Sequence, residues 1–552
     1  MISRRSLSFL VVLAFAAVTA YMQACKKEDN KDGQSFLTVT LPKATLQNDL
    51  YYTVGYNESF IELEFSETVD SSTVPGNLSF SDVNGSLDSS CMIFPVGRKV
   101  VLLFQPDFEL KTGWKYSITV STGLRSISGL TLPAATVIEI RTPALSLTLE
   151  NDSAQRDAIL CISDIHMGEA RAVANKYCWF SKNEDALTDL LDLVLTQHKV
   201  RQVVILGDLF DEWVIPYRFP PFDSANGIDD SREYFLSVAN SPVNQPVIDK
   251  LKAIASSGVT QLIYVPGNHD MLLTQEILQE IIPGVIWKGT SNGMGQYSPV
   301  NEIIMEHGHR FDFFNCPQPL VSQGHMLPPG FFISRLQAEG LRKTGGSILK
   351  ETQASTGSAE FLTAWTLAIE YLKIQYSLTL HADSVNIRMG GIDGYTGMFS
   401  YNGARDMYAA SIENVWPQTQ QHNAVPLQMP VLMAILDGNM DLFLAAWFEY
   451  MSFTAPLKYK IITFGHTHHP ELKVDPPGKN FSSIYSNTGS WVNAELSSQP
   501  VRTFLMIWPG QWTGSELDIV SLYQYNLDSG TGNPDPDYKA VLLAEESIHK
   551  NP

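Results

Sequence analysis

Cysteine is scarce, with five in 552 residues and no CxxC pair among them. Paired-thiolate redox and metal motifs are thereby excluded, and buried free thiols are the expectation for Cys91, Cys161, Cys178 and Cys316. A Cys161–Cys178 bridge is the alternative. Basic charge is also short: 38 Lys and Arg stand against 58 Asp and Glu, giving a formal charge of -20. Such a field repels polyanions, and no basic patch offsets it, so no nucleic-acid partner is expected. Long apolar runs are missing too. The main one, Leu7 to Val18, falls short of the roughly 20 residues that span a bilayer. No internal repeat stands out.

What is present is length, enough for two or more folding units, and a hydrophobic fraction of 44% that can fill their cores. Arg4, Arg5 and the apolar stretch after them read as an export signal over residues 1–25. Met22-Gln23-Ala24-Cys25 resembles a bacterial lipoprotein processing site, which implies a lipid attached at Cys25. The following Lys-Lys-Glu-Asp-Asn is similar to the tether start of surface lipoproteins in some Gram-negative bacteria. The expectation is an exported protein anchored to the outer membrane, with residues 26–35 as a tether.

From residue 36 to 143, short alternating runs such as FIELEFS, KVVLLFQP and YSITVST are separated by Gly, Asn, Asp and Ser turns, the pattern of an antiparallel β-sandwich. Phe65 to Asp70, Leu110 to Tyr116 and Ile140 to Pro143 resemble segments of bacterial Ig-like domains, which implies a spacer. Residues 144–155 read as a linker. Strands then alternate with amphipathic helices over 155–528, the mark of an α/β layered core. Leu187, Leu190, Leu191, Val194 and Leu195 form one helical stripe, with Asn183 as its expected cap. Val247, Leu251, Ile254 and Ala255 form another, stopped by Gly258. Residues 216–244 are expected to form a long loop. Residues 316–453 are too long for a connection and carry apolar helical runs at Phe361 to Leu372 and Met429 to Tyr450, so a helical cap insertion is expected. Residues 529–552 read as a polar tail.

Five short motifs carry the chemistry: Asp164-Ile165-His166, Gly207-Asp208-Leu209-Phe210-Asp211, Gly267-Asn268-His269-Asp270, His307-Gly308-His309 and Gly465-His466-Thr467-His468. Each follows an apolar, β-branched run, which sets oxygen and nitrogen ligands at strand ends around one cleft. If the strands stay extended, Asp164 and His166 project from one side, as do His466 and His468. Two divalent ions can clamp phosphoryl oxygens and lower the pKa of a bridging water, and a carboxylate is the best shared ligand. Imidazole, amide and carboxylate donors without thiolate favour Mn, Fe or Zn.

In this order the motifs resemble those of the calcineurin-like metallophosphoesterase superfamily. The resemblance implies that Asp164, His166 and His468 bind one metal, Asn268, His307 and His466 a second, and that Asp208 bridges them. His269 would sit beside the phosphate and assist the leaving group, with Asp270 orienting its ring. Asp211 matches a position behind the ligands; His309, Arg310 and His469 are expected behind them or facing substrate. The segments Gly207 to Trp213, His307 to Asp312 and Tyr485 to Trp491 are similar to UDP-diacylglucosamine hydrolases, although the insertion here is far larger. The expected activity is hydrolysis of a phosphomonoester, phosphodiester or pyrophosphate by metal-activated water, on a small or lipid-linked substrate. The alternative is an inactive binding module on the same fold. Nuclease action shares the chemistry but conflicts with the acidic field.

Overall fold

The computed structural model describes residues 36–142, 156–344, 385–525 and 540–549, apart from short breaks. The signal segment with Cys25, the tether and the helical stripe expected at Phe361 to Leu372 lie outside the described residues. The chain divides into two units, residues 1–147 with 528–543, and residues 148–527 with 544–552.

In the first unit a four-stranded and a six-stranded sheet share one apolar core. Alternation in Phe60–Phe65 turns Ile61, Leu63 and Phe65 inward, while Glu62 and Glu64 face outward and pair with Lys99 and Arg98. The opposing sheet contributes Phe80, Tyr116, Ile118 and Val120 to the same core. The expected two-sheet pattern is present with one difference. Thr136–Arg141 pairs parallel with Tyr51–Thr53, where antiparallel pairing was expected.

The second unit holds two further sheets. One runs in the order Ile286–Trp287, Gln261–Val265, Val200–Leu206, Ala158–Ile162, Thr503–Trp508, Leu517–Tyr525, with an edge strand inside Ala540–His549. Its first four strands are parallel to one another. Parallel neighbours need crossovers, and the helices Glu184–Thr196 and Gln245–Ser256 lie in them. The other sheet has five strands, with Ile303–Glu306, Ile461–Phe464 and Ser483–Asn487 mutually parallel. One cluster joins the sheets: Ile159, Cys161, Val204, Leu206, Ile263 and Val265 pack with Ile303, Met305, Ile461 and Ile484. These i, i+2 pairs explain why the strand runs are apolar throughout, since the residues between them, such as Leu160 and Ile205, are buried as well.

Several expectations are corrected. Asn183 does not cap its helix with its side chain. Its Nδ2 donates instead to the Trp491 and Val492 carbonyls, and its Oδ1 accepts from Arg502. The loop expected over 216–244 contains the helix Ser231–Ala239, started by Asp230, whose carboxylate accepts from Glu233 N. The expected tail contains the strand Ala540–His549. Among the described residues of the insertion are the helices Pro329–Thr344, Tyr401–Ala409, Ile412–His422 and Val431–Gly438 and a two-stranded ribbon, Asn386–Arg388 with Met398–Ser400. Cys91, Cys161, Cys178 and Cys316 are free and buried.

Candidate metal centre

Parallel strands in both sheets place their carboxyl ends together, and each motif begins where such a strand stops. Asp164 and His166 follow Ala158–Ile162, Asp208 follows Val200–Leu206, Asn268 follows Gln261–Val265, His307 follows Ile303–Glu306, and His466 and His468 follow Ile461–Phe464. The expected extended geometry is wrong for the paired ligands. Asp164, His166, Asp208, His466 and His468 have φ of 53, 56, 54, 72 and 58°, in the left-handed region that non-glycine residues avoid. Alternating left-handed residues curl the chain tightly, so ligands two apart turn inward together. Strain of this kind persists where the surroundings over-determine it, and here backbone bonds do so. His466 N donates to Asp164 Oδ2 and His269 N to Asp208 Oδ1, both at 2.9 Å, while Ile165 N and His166 N donate to the Asp208 carbonyl. Gly207 and Gly267 permit this closeness. A Cβ on Gly207 would stand 2.6 Å from His307 Nδ1, and one on Gly267 2.1 Å from Asp208 Oδ1.

The donor atoms converge at the strand ends. His307 Nδ1 donates to the Leu206 carbonyl at 2.6 Å, which leaves Nε2 as a lone pair. That nitrogen faces Asn268 Oδ1 at 3.0 Å and Asp208 Oδ2 at 3.3 Å. His466 Nε2 donates to Asp312 Oδ2 at 3.0 Å, so its Nδ1 lone pair also faces Asn268 Oδ1 at 3.0 Å. On the other side His166 Nε2 and His468 Nε2 lie 3.0 Å apart. Asp164 Oδ1, buried and without a hydrogen bond, is 3.3 Å from His468 Nε2 and 3.8 Å from His166 Nε2. Asp208 Oδ2 reaches both groups, 3.7 Å from His166 Nε2 and 3.3 Å from His307 Nε2. Converging acceptors are what cations fit, and the donor set of imidazoles, carboxylates and one amide suits divalent transition metals. Ligand atoms of Asp164, His166 and His468, and likewise of Asp164, Asp208 and His307, lie within 4.8 Å of one another.

Electrostatics agree. Burial opposes protonation of His166, yet the neighbouring carboxylates of Asp164 and Asp211 raise its pKa to about 10. Burial likewise opposes that of His307, which Asp208 and Asp164 raise to about 9. Burial acts against ionisation of Asp208, yet His307 and His269 hold its carboxyl well below the usual range. The cage therefore calls for positive charge.

Of the remaining expected residues, His269 and His469 line the cleft and the others do not. His269 lines the cleft, and its Nδ1 is 3.1 Å from Asp211 Oδ1. Asp211, not Asp270, orients the ring. Asp270 was expected in that role, but its carboxylate is spent on Leu209 N, Phe210 N, Gly267 N and the Tyr264 hydroxyl, clamping two motif loops together. Burial and the Asp208 charge raise its pKa to about 6. His309 is buried behind the ligand rings, its Nε2 donating to Gly293 O at 3.1 Å, and it does not line the cleft. Arg310 does not face substrate: its nitrogens bind Glu306, Glu449, Tyr450 and the Ala424 carbonyl. It thus joins the strand end before His307 to the insertion. His469 lines the cleft.

Four contributors were not assigned from sequence. Asp312 orients His466, and Gly438, the last residue of an insertion helix, packs so close that a Cβ would stand 2.6 Å from the Asp312 carboxyl carbon. Trp213 stacks on His269 at 4.6 Å and 28°, and Trp179 lies 4.8 Å from the His166 ring. Asp312 and Trp213 sit inside segments singled out for resemblance, which was the available signal. Trp179 carried none.

Residues 158–340 match the calcineurin-like phosphoesterase family. The match covers about a third of the chain and supports the calcineurin-like superfamily for that segment. The family implies metal-dependent phosphoester hydrolysis, and the His466 and His468 motif lies beyond the matched residues. No curated protein matches the chain. Among solved structures, the S-layer protein rSbsC(31-844) is similar at 15% identity over 22% of this chain and 16% of that chain, with a TM-score of 0.15. Native alpha-2-macroglobulin from Escherichia coli, domains MG0-NIE-MG1, is similar at 13% identity over 24% of this chain and 37% of that one, with a TM-score of 0.14. Overlaps this slight say nothing about the phosphoesterase domain.

Proposed function

We propose that this protein is an exported phosphoesterase using two divalent ions, Mn, Fe or Zn, to hydrolyse a small or lipid-linked phosphomonoester, phosphodiester or pyrophosphate. The observation that carries it is the placement of Asp208 Oδ2 between two sets of nitrogen and oxygen donors, 3.7 Å from His166 Nε2 and 3.3 Å from His307 Nε2. Asp164, His166 and His468 would hold one ion, and Asn268, His307 and His466 the other. Bound there, such ions clamp phosphoryl oxygens and make water a usable nucleophile near neutral pH. The chain's own part is to position and to move a proton. With Nδ1 fixed by Asp211, His269 offers Nε2 to the cleft, where it can protonate the leaving oxygen, and the Asp211 carboxylate supports the resulting charge change. Trp213, stacked behind the ring, restricts its rotation.

Export and attachment to the outer membrane through a lipid on Cys25 are supported by the signal-like segment and its processing-site resemblance. The first unit would then act as a bacterial Ig-like spacer, and the insertion as a cap, with Gly438 among the residues lining the cleft. The resemblance of three segments to UDP-diacylglucosamine hydrolases supports a pyrophosphate-type substrate among the possibilities, but an export signal would separate this chain from cytoplasmic nucleotide–lipid intermediates. The test is Asp208→Asn. Hydrolysis of an aryl phosphate is expected to fall at least about a thousandfold with the fold retained, since both ions lose their shared ligand. Unchanged turnover would refute the assignment, whereas a metal-loaded wild type without turnover would favour an inactive binding module.

A further inference from the structure

The cleft over the metal centre measures about 300 Å³, room for a phosphoryl group and little more than one ring. One of its walls is an indole. The half-buried Trp179 ring lies 4.8 Å from the His166 ring, 5.7 Å from that of His269 and 5.8 Å, edge on, from that of His468. It therefore borders the leaving-group histidine and the first metal position together. Its Nε1 is enclosed and makes no hydrogen bond, so packing alone holds the ring.

The backbone beneath it is fixed. Asn493 N donates to the Trp179 carbonyl at 2.8 Å, and Asn493 Oδ1 accepts from Ser181 N and Lys182 N at 3.0 Å each. Lys182 pairs with Glu495 as a second tie. Asn493 also opens the segment that supplies Leu496, Ser497 and Gln499 to the same cleft. A rigid indole thus stands beside neutral polar groups, within ring-contact distance of the reacting centre. Aromatic faces bind rings at centroid distances of about 4.5 to 7 Å, and hydroxyl and amide neighbours supply hydrogen bonds at a ring's edge.

We infer that Trp179 is a specificity-determining residue: it forms the contact wall for a ring, aromatic or carbohydrate, borne on the ester oxygen of the substrate. The inference rests on the proposed function but is tested by binding, not turnover. Metal-loaded protein is titrated calorimetrically with phenylphosphonate, glucosylmethylphosphonate and butylphosphonate, which carry an aromatic ring, a sugar ring and no ring. At least one ring compound is expected to bind about fivefold or more tightly than the butyl compound. Trp179→Ala should remove that preference, and Trp179→Phe should retain part of it. Metal content is measured for both variants. Equal affinities in the wild type, an equal loss for all three ligands in Trp179→Ala, or loss of metal from both variants would overturn the inference. A ring preference without hydrolysis of any ester would leave it standing and refute the proposed function instead.

Discussion

At the level of single residues, the site exchanges the roles expected of two aspartates: Asp270 was expected to orient His269 and Asp211 to stand behind the ligands. Asp211 and Asp270 both lie near His269 in motif order, but only Asp211 touches its ring, at 3.1 Å. Asp211→Asn should lower kcat by about 10- to 100-fold, the scale usual for a residue that orients another, with KM little changed. Asp270→Asn should chiefly lower the unfolding temperature, because the carboxylate that gathers Leu209 N, Phe210 N and Gly267 N is replaced by a weaker acceptor. Steady-state kinetics and a thermal melt of each variant check this, and a larger kcat loss in Asp270→Asn would reverse the assignment. The residue types at the centre were legible because few patterns place so many histidines after apolar strands: five of the chain's twelve are ligands or the leaving-group histidine in this reading. The left-handed backbone at Asp164 and His466 was not legible. Propensity argues against such φ values, and only bonds between distant motifs, such as His466 N to Asp164 Oδ2, impose them.

At the level of elements, strand order explains the site and the insertion explains what surrounds it. Strand and helix alternation after residue 156 was readable from period-2 and period-3.6 patterns. The helix Ser231–Ala239 was missed because its moderate apolar stripe follows a stretch rich in Pro, Asp and Asn. The edge strand in Ala540–His549 was missed because its outer half alternates with Glu and Ser. The insertion meets the core through Arg310, held between Glu306 and Glu449. Two carboxylates around one guanidinium leave a surplus negative charge. Burial first, and Glu306 next, outweigh Arg310 and raise the pKa of Glu449 to about 7 from 4.5. The folded protein therefore keeps a proton that the unfolded chain has released, so stability from this group is present below about pH 4.5 and is lost as pH rises toward 7. The loss is at most about 3 kcal/mol. Glu449→Gln, whose carboxamide oxygen can still accept from Arg310, should flatten the fall in unfolding temperature between pH 5 and 7.5. A variant with the wild-type slope would place the titration elsewhere.

At the level of the whole molecule, a chain of net charge -20 gathers buried carboxylates and imidazoles where two sheets end, and Asp164 Oδ1 among them accepts no hydrogen bond. Filling that cage with cations should stabilise the folded chain by mass action. Chelation is accordingly expected to lower the unfolding temperature by several degrees, restored by Mn or Zn, and an unchanged melt would speak against a resident metal. The most direct measurement is the metal content of the purified chain after loading with Mn or Zn, taken beside its turnover of an aryl phosphate. Two ions per wild-type chain, and no more than one in inactive Asp208→Asn, is the predicted result. A wild type that hydrolyses the ester while holding no divalent ion, or an Asp208→Asn variant that keeps both ions and full turnover, would contradict it.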